Sequence, residues 1–193
     1  MSREKISSPI ENELDKTHIE LIEKPNDELM KKIVETYKKC FPEEWSYPDA
    51  EEFFSKLLNK EGNIGILLKD GEEIAGFALL RPHDDMVEDI EEPDPELKKD
   101  ENRFYIETLQ ILPQYQNKGS FTKIVTTIIS ESKKKHIHKF SFHARVKNKL
   151  SENIQRIFGD KITQIRRMDD FYDYGGDEPC DYIEVDLSKN QSH

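Results

Sequence analysis

The sequence contains only two cysteines, Cys40 and Cys180, and neither has a paired cysteine or histidine nearby. This spacing excludes a disulfide framework and does not match a zinc motif. We therefore expect no metal site and a reducing, cytoplasmic location. Long apolar runs are absent too, because no stretch approaches the ~18 residues of a membrane span. The first residues lead into no secretory signal, and we expect no association with a membrane.

Positive charge is scarce as well. The 29 lysines and arginines are outnumbered by 40 aspartates and glutamates, which leaves a net charge of −11. That balance argues against nucleic acid as a partner, because its phosphates would be repelled. Much of the excess lies between Asp84 and Glu101, where ten acidic residues stand against two lysines. Such a segment is usually a solvated surface, but beside a substrate entrance it would attract a polyamine, a lysine side chain or a peptide amino terminus.

The apolar residues are sufficient for one domain. The length of 193 residues suits a single core that needs no disulfide or metal. Residues 1–16 are polar and aperiodic, so we expect a flexible tail there, followed by a domain over 17–187 and a short tail over 188–193. The acidic stretch 84–101 contains two prolines and is expected to be a long loop inserted in that domain.

Apolar periodicity predicts the order β-α-α-β-β-β-α-β-α-β-β, an α/β fold with a mixed sheet and helices on both faces. The Asp-Gly pair at 70–71 indicates a hairpin, and apolar residues at i, i+3, i+4, i+7 and i+8 after Gly119 indicate an amphipathic helix. The predicted helices begin near residues 26, 48, 120 and 150, and the predicted strands span 18–22, 64–68, 73–80, 103–112, 140–144, 161–167 and 182–187.

One segment, from Leu109 to Val125, combines a strand, a short polar loop, a glycine and an amphipathic helix. The first amides of a helix have no internal acceptor and the helix dipole adds positive charge, so this arrangement makes an anion site. Gly119 would let a phosphate approach the backbone, and Lys118 would add a charged contact. The alternatives are a plain strand-to-helix turn and a mononucleotide binder, although the phosphate-loop motif of such binders is absent.

The same segment resembles the acyl-CoA signature of the GNAT N-acetyltransferase superfamily. In that signature a strand ends in an aliphatic residue, and a Pro-x-Tyr step and an Arg- or Gln-x-x-Gly step then open a long helix. The predicted order of elements is also similar to the family's over about residues 17–187, and a second motif follows at the spacing Asn-x-x-Ala-x-x-Leu-Tyr-x-x-x-Gly. The matching residues are Ile111, Pro113, Tyr115, Gln116, Gly119 and Phe121 in the first motif, and Asn148, Ser151, Ile154 and Gly159 in the second.

The resemblance implies an acetyl-CoA site and no metal. The pantetheine arm would pair with the main chain of Gln110, Ile111 and Leu112, like an added strand. The amine substrate, a small molecule or a peptide, would enter from the opposite end, near the first two helices. The pyrophosphate would lie on the amides of a glycine loop, and Asn148 would add a contact. This glycine loop consists of Gln116, Asn117, Lys118, Gly119, Ser120, Phe121 and Thr122.

Three residues depart from the family's pattern. Phe121 stands where Gly or Ala is usual, and its helical spacing suggests a core anchor. Gln116 replaces the commoner Arg. Gln155 stands where many members carry a tyrosine that protonates the departing thiolate, and an amide cannot do this. The acid is therefore another group or solvent, or the protein is not an efficient enzyme.

Glu107 is the candidate general base. Amine acetylation needs a group that takes a proton from the ammonium or from the tetrahedral adduct, and a glutamate on this strand often does so in the family that the chain resembles. A carboxylate between Ile106 and Thr108 in an apolar strand is unusual unless it is paired or functional. The alternative is a structural ion pair, for example with Arg81.

Three aromatic residues are candidates for binding the amine substrate. Trp45 and Tyr47 lie between the first two predicted helices, a region that lines the substrate pocket in the family. Tyr105 occupies a frequent glutamate position on the strand that carries Glu107. Ordinary hydrophobic packing is the alternative for the two residues between the helices.

The missing tyrosine acid has two candidate replacements. Tyr172 and Tyr174 lie between the last two predicted strands, in a loop that reaches over the substrate in some members of the family. The histidines of the second half have no metal-site spacing and are expected to be solvated or hydrogen-bonded. They are His136, His138 and His143.

The sequence as a whole predicts an acetyl-CoA-dependent N-acetyltransferase. A neutral primary amine would attack the thioester directly, and main-chain amides of the central strand would stabilise the oxyanion. Three alternatives stay open: a catalytically weak GNAT-fold module that binds acyl-CoA as a sensor, a transferase with another acyl group or an oxygen nucleophile, and a mononucleotide binder. Both a monomer and a homodimer are compatible with the sequence.

Overall fold

Seven strands and five α-helices make up the part of the chain that the structure, a computed structural model, describes: residues 16–41, 46–47, 49–90, 94–148, 150–172 and 178–188. The predicted tails therefore lie almost entirely outside the described residues. The strands are β1 (Thr17–Leu21), β2 (Ile64–Asp70), β3 (Glu73–Pro82), β4 (Arg103–Ile111), β5 (Lys139–Arg145), β6 (Ile162–Tyr172) and β7 (Glu178–Asp186). The helices are α1 (Asp27–Cys40), α2 (Ala50–Asn59), α3 (His83–Ile90), α4 (Ser120–Lys134) and α5 (Leu150–Phe158).

The predicted order of elements is confirmed, with one addition in the acidic segment. The stretch that the sequence predicts as a loop begins with α3. Asp84 and Asp85 lie in the first turn, where negative charge stabilises a helix, and the helix buries Met86 and Val87. The loop prediction is wrong for residues 84–90, because one apolar pair among so many charges gives too weak a periodic signal, whereas residues 94–101 contain no helix or strand.

The sheet has the strand order β1-β2-β3-β4-β5-β7-β6, and all pairs except β4 with β5 are antiparallel. β4 and β5 run parallel and are paired only at their beginnings, from Arg103 opposite Lys139 to Tyr105 opposite Ser141. Both strands then continue without pairing to each other, so an opening in the hydrogen-bonded sheet begins there. We call this opening the β4–β5 gap.

A β-bulge in β4 lies where the gap begins. The pairing with β3 passes from Thr108 directly to Ile106 while β3 advances by one residue, so Glu107 is the extra residue. A bulge leaves its extra residue outside the ladder of hydrogen bonds and bends the strand locally. The face of the sheet to which the Glu107 side chain points is therefore set by the bulge. The regular alternation of side chains along a strand does not predict it.

Apolar clusters cover both faces of the sheet. α4 and α5 pack on one face, whereas α1 and α2 pack on the other. Phe104 belongs to the first cluster and Tyr105 to a third, smaller one under α3. Because neighbouring side chains on a strand point to opposite faces, α3 lies on the face opposite α4. The third cluster consists of Met86, Val87, Leu97, Tyr105 and Tyr182, with Met168 at its edge.

Candidate functional site

The β4–β5 gap has partly exposed main chain at one residue on each of its two inner edges. Glu107 on β4 and His143 on β5 are each partly exposed as whole residues. Their side chains are only 7% and 0% exposed, respectively. The exposed atoms of these residues therefore belong mostly to the backbone, and exposed backbone between two strands can pair with an extended chain.

Gly76 allows β3 to pack closely against the end of β4 that borders the gap. A Cβ atom at this position would lie 2.6 Å from the carbonyl oxygen of Gln110 and 3.3 Å from the Cα atom of Ile111. The next residue of the chain is tied to β3 as well, because the amide of Leu112 donates to the carbonyl of Ala75 at 2.9 Å. These contacts fix the stretch 110–112, which the sequence predicts to hold the pantetheine arm.

The glycine loop connects β4 to α4 through a 3-10 turn at Pro113–Tyr115. Gly119 has the left-handed backbone conformation, with φ 79° and ψ −3°, and is the N-cap of α4. The first hydrogen bond within the helix runs from the amide of Lys123 to the carbonyl of Gly119, at 3.0 Å. The amides of Ser120 to Thr122 precede that bond and have no acceptor within the helix, as an anion site requires.

A cavity of about 190 Å³ adjoins this loop. It brings together Lys118 of the loop and Lys16 from the start of the described chain, so its lining includes two cations suited to phosphate. Tyr115 is held in place because its hydroxyl lies within hydrogen-bond distance of Asp70 and Glu73, at 2.9 and 2.8 Å. The lining residues are Lys16, Thr17, Asp70, Gln114, Tyr115, Lys118 and Ser120.

Three predicted cofactor residues have additional or different roles in the structure. The main-chain amide of Gln116 donates to the carbonyl of Pro113 at 3.2 Å, so this main-chain amide already has an acceptor. Phe121 is partly buried against the core under α4, in agreement with its helical spacing. Asn148 is exposed and ends a 3-10 turn that directly follows β5.

Glu107 is paired on two sides. Its Oε2 atom lies 2.8 Å from the Nε atom of Arg81, and its Oε1 atom accepts a hydrogen bond from the Tyr47 hydroxyl at 3.3 Å. Arg81 also contacts Asp89 of α3. Burial raises the pKa of Glu107, and the charge of Arg81 opposes that rise. The ion pair with Arg81, which the sequence offered as the alternative, is therefore present. The hydrogen bond from Tyr47 also joins two of the predicted site residues.

Tyr105 and His143 meet across the point where β4 and β5 separate. The Tyr105 hydroxyl lies 2.9 Å from Nδ1 of His143. Burial lowers the pKa of His143, so the ring is held neutral near pH 7. The histidine is hydrogen-bonded, one of the two outcomes expected of it, and is not solvated. Sequence reasoning gave it no role, because the pairing of β4 with β5 leaves no local signal in either strand.

The carboxylates of the acidic segment are extensively paired with cations. Five cationic side chains from outside residues 84–101 contact them, besides one lysine from within. The segment is thus a packed and ion-paired cover over Tyr105 rather than an open acidic loop. The pairs are Lys60 with Asp85, Arg81 with Asp89, Lys99 with Glu88, Arg103 and Lys139 with Asp100, and Arg166 with Asp94 and Glu96.

Trp45 and Tyr174 lie outside the described residues. Tyr172 ends β6, opposite Glu178 of β7. Gln155 is exposed on α5, so the position of the family's tyrosine acid is occupied by a surface amide.

Three further features concern thiols, membranes and metals. Both cysteines, Cys40 and Cys180, are free. Among the described helices, none is both long and apolar enough to cross a bilayer. Across the same part of the chain, no group of three or more histidine, cysteine, aspartate or glutamate side chains is arranged to hold a metal ion.

Comparison with known protein families gives a match over most of this domain. Residues 30–159 match the model of the acetyltransferase (GNAT) family. The match includes most of α1, the gap and the glycine loop, and it ends at Gly159. The chain belongs to the GNAT acetyltransferase family, and the predicted family is confirmed. No curated protein matches the chain by sequence.

Solved structures with the same fold include several N-acetyltransferases. NAA60 from Arabidopsis thaliana, in complex with acetyl-CoA, has a TM-score of 0.67 and 16% identity, covering 90% of this chain and 99% of its own. The ribosomal-protein-S18-alanine N-acetyltransferase from Escherichia coli has a TM-score of 0.64 and 14% identity, covering 92% and 97%. A spermidine N-acetyltransferase chimera from Vibrio cholerae and hSSAT has a TM-score of 0.64 and 14% identity, covering 92% and 99%. These likenesses confirm the predicted fold.

Proposed function

We propose that this protein is an acetyl-CoA-dependent N-acetyltransferase that acetylates a primary amine by direct attack. The observation that carries the proposal is the β4–β5 gap. Its inner edges expose main chain at Glu107 and His143, and β4 leads from it to the N-terminus of α4 at Gly119. Ionisable side chains lie where the strands separate, so binding and proton transfer are possible at one place.

Acetyl-CoA suits these features, and it supplies an activated thioester carbonyl. Its pantetheine arm is an extended chain of amides, which fits the end of β4 at 110–112, where the strand is not paired with β5. Its pyrophosphate is an anion, which fits the amides of residues 117–122 and the Lys118 side chain. Asn148, at the end of β5, would contact the cofactor from the other side of the gap.

The bulge and its carboxylate provide two of the groups that the reaction needs. The main chain at the bulge is outside the β3–β4 ladder, and we assign it as the oxyanion donor. Glu107 is the proposed general base. Burial raises its pKa, which makes the carboxylate a stronger base, and Arg81 and Tyr47 hold it in place.

The Tyr105–His143 pair offers a second route for the proton. A neutral imidazole whose Nδ1 accepts the Tyr105 hydrogen leaves the phenol oxygen able to take a proton from the amine. The hydroxyl proton then passes to His143. Tyr172 and Tyr174 are the proposed acids for the departing thiolate, as the sequence predicts.

The acceptor is a primary amine of a small molecule or a peptide. N-acetyltransferases of the same fold include both kinds, one named for an alanine of ribosomal protein S18 and one for spermidine. The ion pairs of the acidic segment weaken the argument for a strongly basic acceptor, because few of its described carboxylates are left without a cation. A panel of acceptors should therefore include neutral and acidic amines beside polyamines. The predicted cytoplasmic location stays a prediction.

Cofactor binding is tested by thermal denaturation with and without acetyl-CoA. A ligand that binds only the native state raises the melting temperature, by an amount that grows with its concentration. We expect a rise for the wild type and none for Gly119→Val. Gly159→Val is the matched control, because Gly159 also has a positive φ of 50° but lies at the end of α5. Gly159→Val should lose about as much stability as Gly119→Val and keep the rise in melting temperature with acetyl-CoA. If the wild type shows no rise at millimolar acetyl-CoA, the cofactor assignment is contradicted.

Turnover separates an enzyme from a sensor. Release of free thiol from acetyl-CoA should accelerate with at least one amine of the panel, and the product should be the acetylated amine by mass spectrometry. A thermal shift without amine-dependent thiol release would favour the alternative, a GNAT-fold module that binds acyl-CoA without efficient catalysis.

A further inference from the structure

A chain of buried polar groups runs from the point where β4 and β5 separate into the acidic segment. Its first link is the contact between the Tyr105 hydroxyl and Nδ1 of His143. Its second is the approach of the His143 Nε2 atom to Oδ2 of Asp94, at 3.6 Å. Asp94 in turn contacts Arg166 of β6. The side chains of His143 and Asp94 are both 0% exposed, so these groups interact without competition from solvent.

The carboxylate of Asp94 is ionised in this setting. Burial alone would raise its pKa, but contacts with His143 and Arg166 outweigh burial and lower the pKa to about 2. A buried carboxylate is retained as an anion only when a cation accompanies it, and Arg166 supplies that cation. The guanidinium is itself held over the ring of Tyr182, at 5.4 Å.

We propose that Asp94, anchored by Arg166, is a positioning residue for the Tyr105–His143 pair. An anion beside Nε2 favours the tautomer that carries its proton there, which leaves Nδ1 as the acceptor for the Tyr105 hydroxyl. The inference rests on the proposed function and specifies how its second proton route would work. It also gives the acidic segment a role, because that segment contributes Asp94 to the chain.

The proton balance of the route is simple. As the amine nitrogen bonds to the carbonyl carbon, it gives a proton to the Tyr105 oxygen, and the original hydroxyl proton moves to Nδ1 of His143. The imidazolium that forms lies beside the Asp94 anion, which stabilises its charge, and it releases the proton before the next turnover. The separation of 3.6 Å is longer than a hydrogen bond, and such contacts often tighten only when substrate is bound.

Asp94 and Arg166 are charged groups that act on the His143 imidazole, and uncharged rings face it as well. Tyr105 faces it from β4, and the ring of Tyr182 from β7 lies 5.0 Å away. Arg166 contributes a charge that lowers the pKa of the imidazole, and Asp94 contributes one that raises it. Removal of the Asp94 charge should therefore make His143 harder to protonate.

The first test needs neither cofactor nor activity. Nitrogen NMR of the free protein with ¹⁵N-labelled histidine reports the tautomer, and the His143 signal is identified by its absence in His143→Gln. We expect a neutral ring protonated on Nε2 in the wild type and loss of that preference in Asp94→Asn. The same tautomer in both proteins overturns the proposal. If Asp94→Asn does not fold, Arg166→Gln replaces it, and an unchanged tautomer there overturns the proposal equally.

The second test is the pH profile of kcat/KM. Asp94→Asn should lower kcat/KM at neutral pH, by less than the ~10²–10⁴-fold that proton transfer as a whole contributes, and it should move the acidic limb to lower pH. Asp100→Asn is the control, since Asp100 lies in the same segment and pairs with Arg103 and Lys139. It should lose stability without moving that limb. If the acidic limb of the pH profile does not move in Asp94→Asn, the proposal is overturned. If the wild type is inactive, the proposed function is refuted, and the NMR result alone decides the role of Asp94 in setting the tautomer.

Discussion

The two ends of the β4–β5 gap are built in opposite ways. Where α4 begins, the candidate site is exposed main chain set by Gly119, and the side chains around it serve mainly to hold the turn. Where the strands separate, the site is buried side chain, and charged groups such as Glu107 and Arg81 are paired in the interior. A main-chain site is sensitive to changes of backbone conformation, and a side-chain site to changes of charge. Variants that alter one property at a time should therefore affect the two ends differently.

The largest effect is expected at Glu107. If it is the base, Glu107→Gln should lower kcat/KM by about 10²–10⁴-fold at neutral pH, and the loss should shrink at high pH, where more of the amine is already neutral. Steady-state kinetics across a pH series measures this. The thermal shift with acetyl-CoA should persist, because the glycine loop is unchanged.

A different outcome would reverse the interpretation of this end of the gap. If Glu107→Gln loses stability and activity in the same proportion, Glu107 is a structural partner of Arg81. Tyr105→Phe then becomes the informative variant, because it removes only the hydroxyl that contacts His143.

The next effect concerns stability, at the partner of Glu107. Arg81→Met leaves Glu107 as a buried carboxylate without its cation, and breaking such a pair destabilises a protein by about 3–5 kcal/mol. Urea denaturation measures the loss. The double variant with Glu107→Gln should recover part of it, because the unpaired charge is removed.

A surface ion pair provides the control for this prediction. Lys69 pairs with Glu20 at 3.1 Å, but the two side chains are 20% and 49% exposed. Exposed pairs contribute about 0–1 kcal/mol, so Lys69→Met should stay within that range. A loss for Arg81→Met that is no larger would mean that solvent reaches the Arg81–Glu107 pair.

A smaller effect is expected at the main-chain end, from Gly76→Ala. The new methyl group would meet the carbonyl of Gln110, a backbone atom that cannot rotate away, and overpacking of this kind costs about 1–3 kcal/mol. It should also weaken acetyl-CoA binding, measured by calorimetry, because the strand edge at 110–112 is displaced. Gly71→Ala is the control: it has a positive φ but no atom within 4 Å of the new group, and it should leave affinity unchanged.

The smallest effect is expected from the exposed charges of the acidic segment. Glu88 and Glu96 are 63% and 71% exposed and pair with Lys99 and Arg166. The double variant to glutamine should raise KM for a polyamine at low salt by less than about fivefold, the equivalent of ~1 kcal/mol for an exposed pair. Screening at 0.15 M salt should remove the difference. A much larger change would restore the idea that this segment steers cationic substrates.

The same contrast explains how much could be predicted from the sequence. α4 and the glycine loop have local signals, a helical stripe and a glycine at the helix start, and both lie where the sequence predicts them. The positions of α4 and its glycine could therefore be predicted without a structure, whereas the role of the motif residues in cofactor binding stays a prediction. α3 was missed because its apolar contribution is short, and the pairing of Tyr105 with His143 depends on two strands that are far apart in the chain. Contacts of that kind leave no periodicity in either segment, so charge pairs such as Asp94 with Arg166 were not predicted.

The ion pairs of the acidic segment have a consequence for chimeras in which this segment is transferred to another member of the family. Its carboxylates meet cations from the end of α2 and from β3, β4, β5 and β6, the first being the C-cap residue Lys60, so its partners are dispersed over most of the fold. Transplanted alone onto another member of this family, the segment would bring a dense negative charge to a surface without matching cations. A chimera that carries it should be less stable than its parent unless those five cations are transferred as well, so the segment and its distant partners act as one unit.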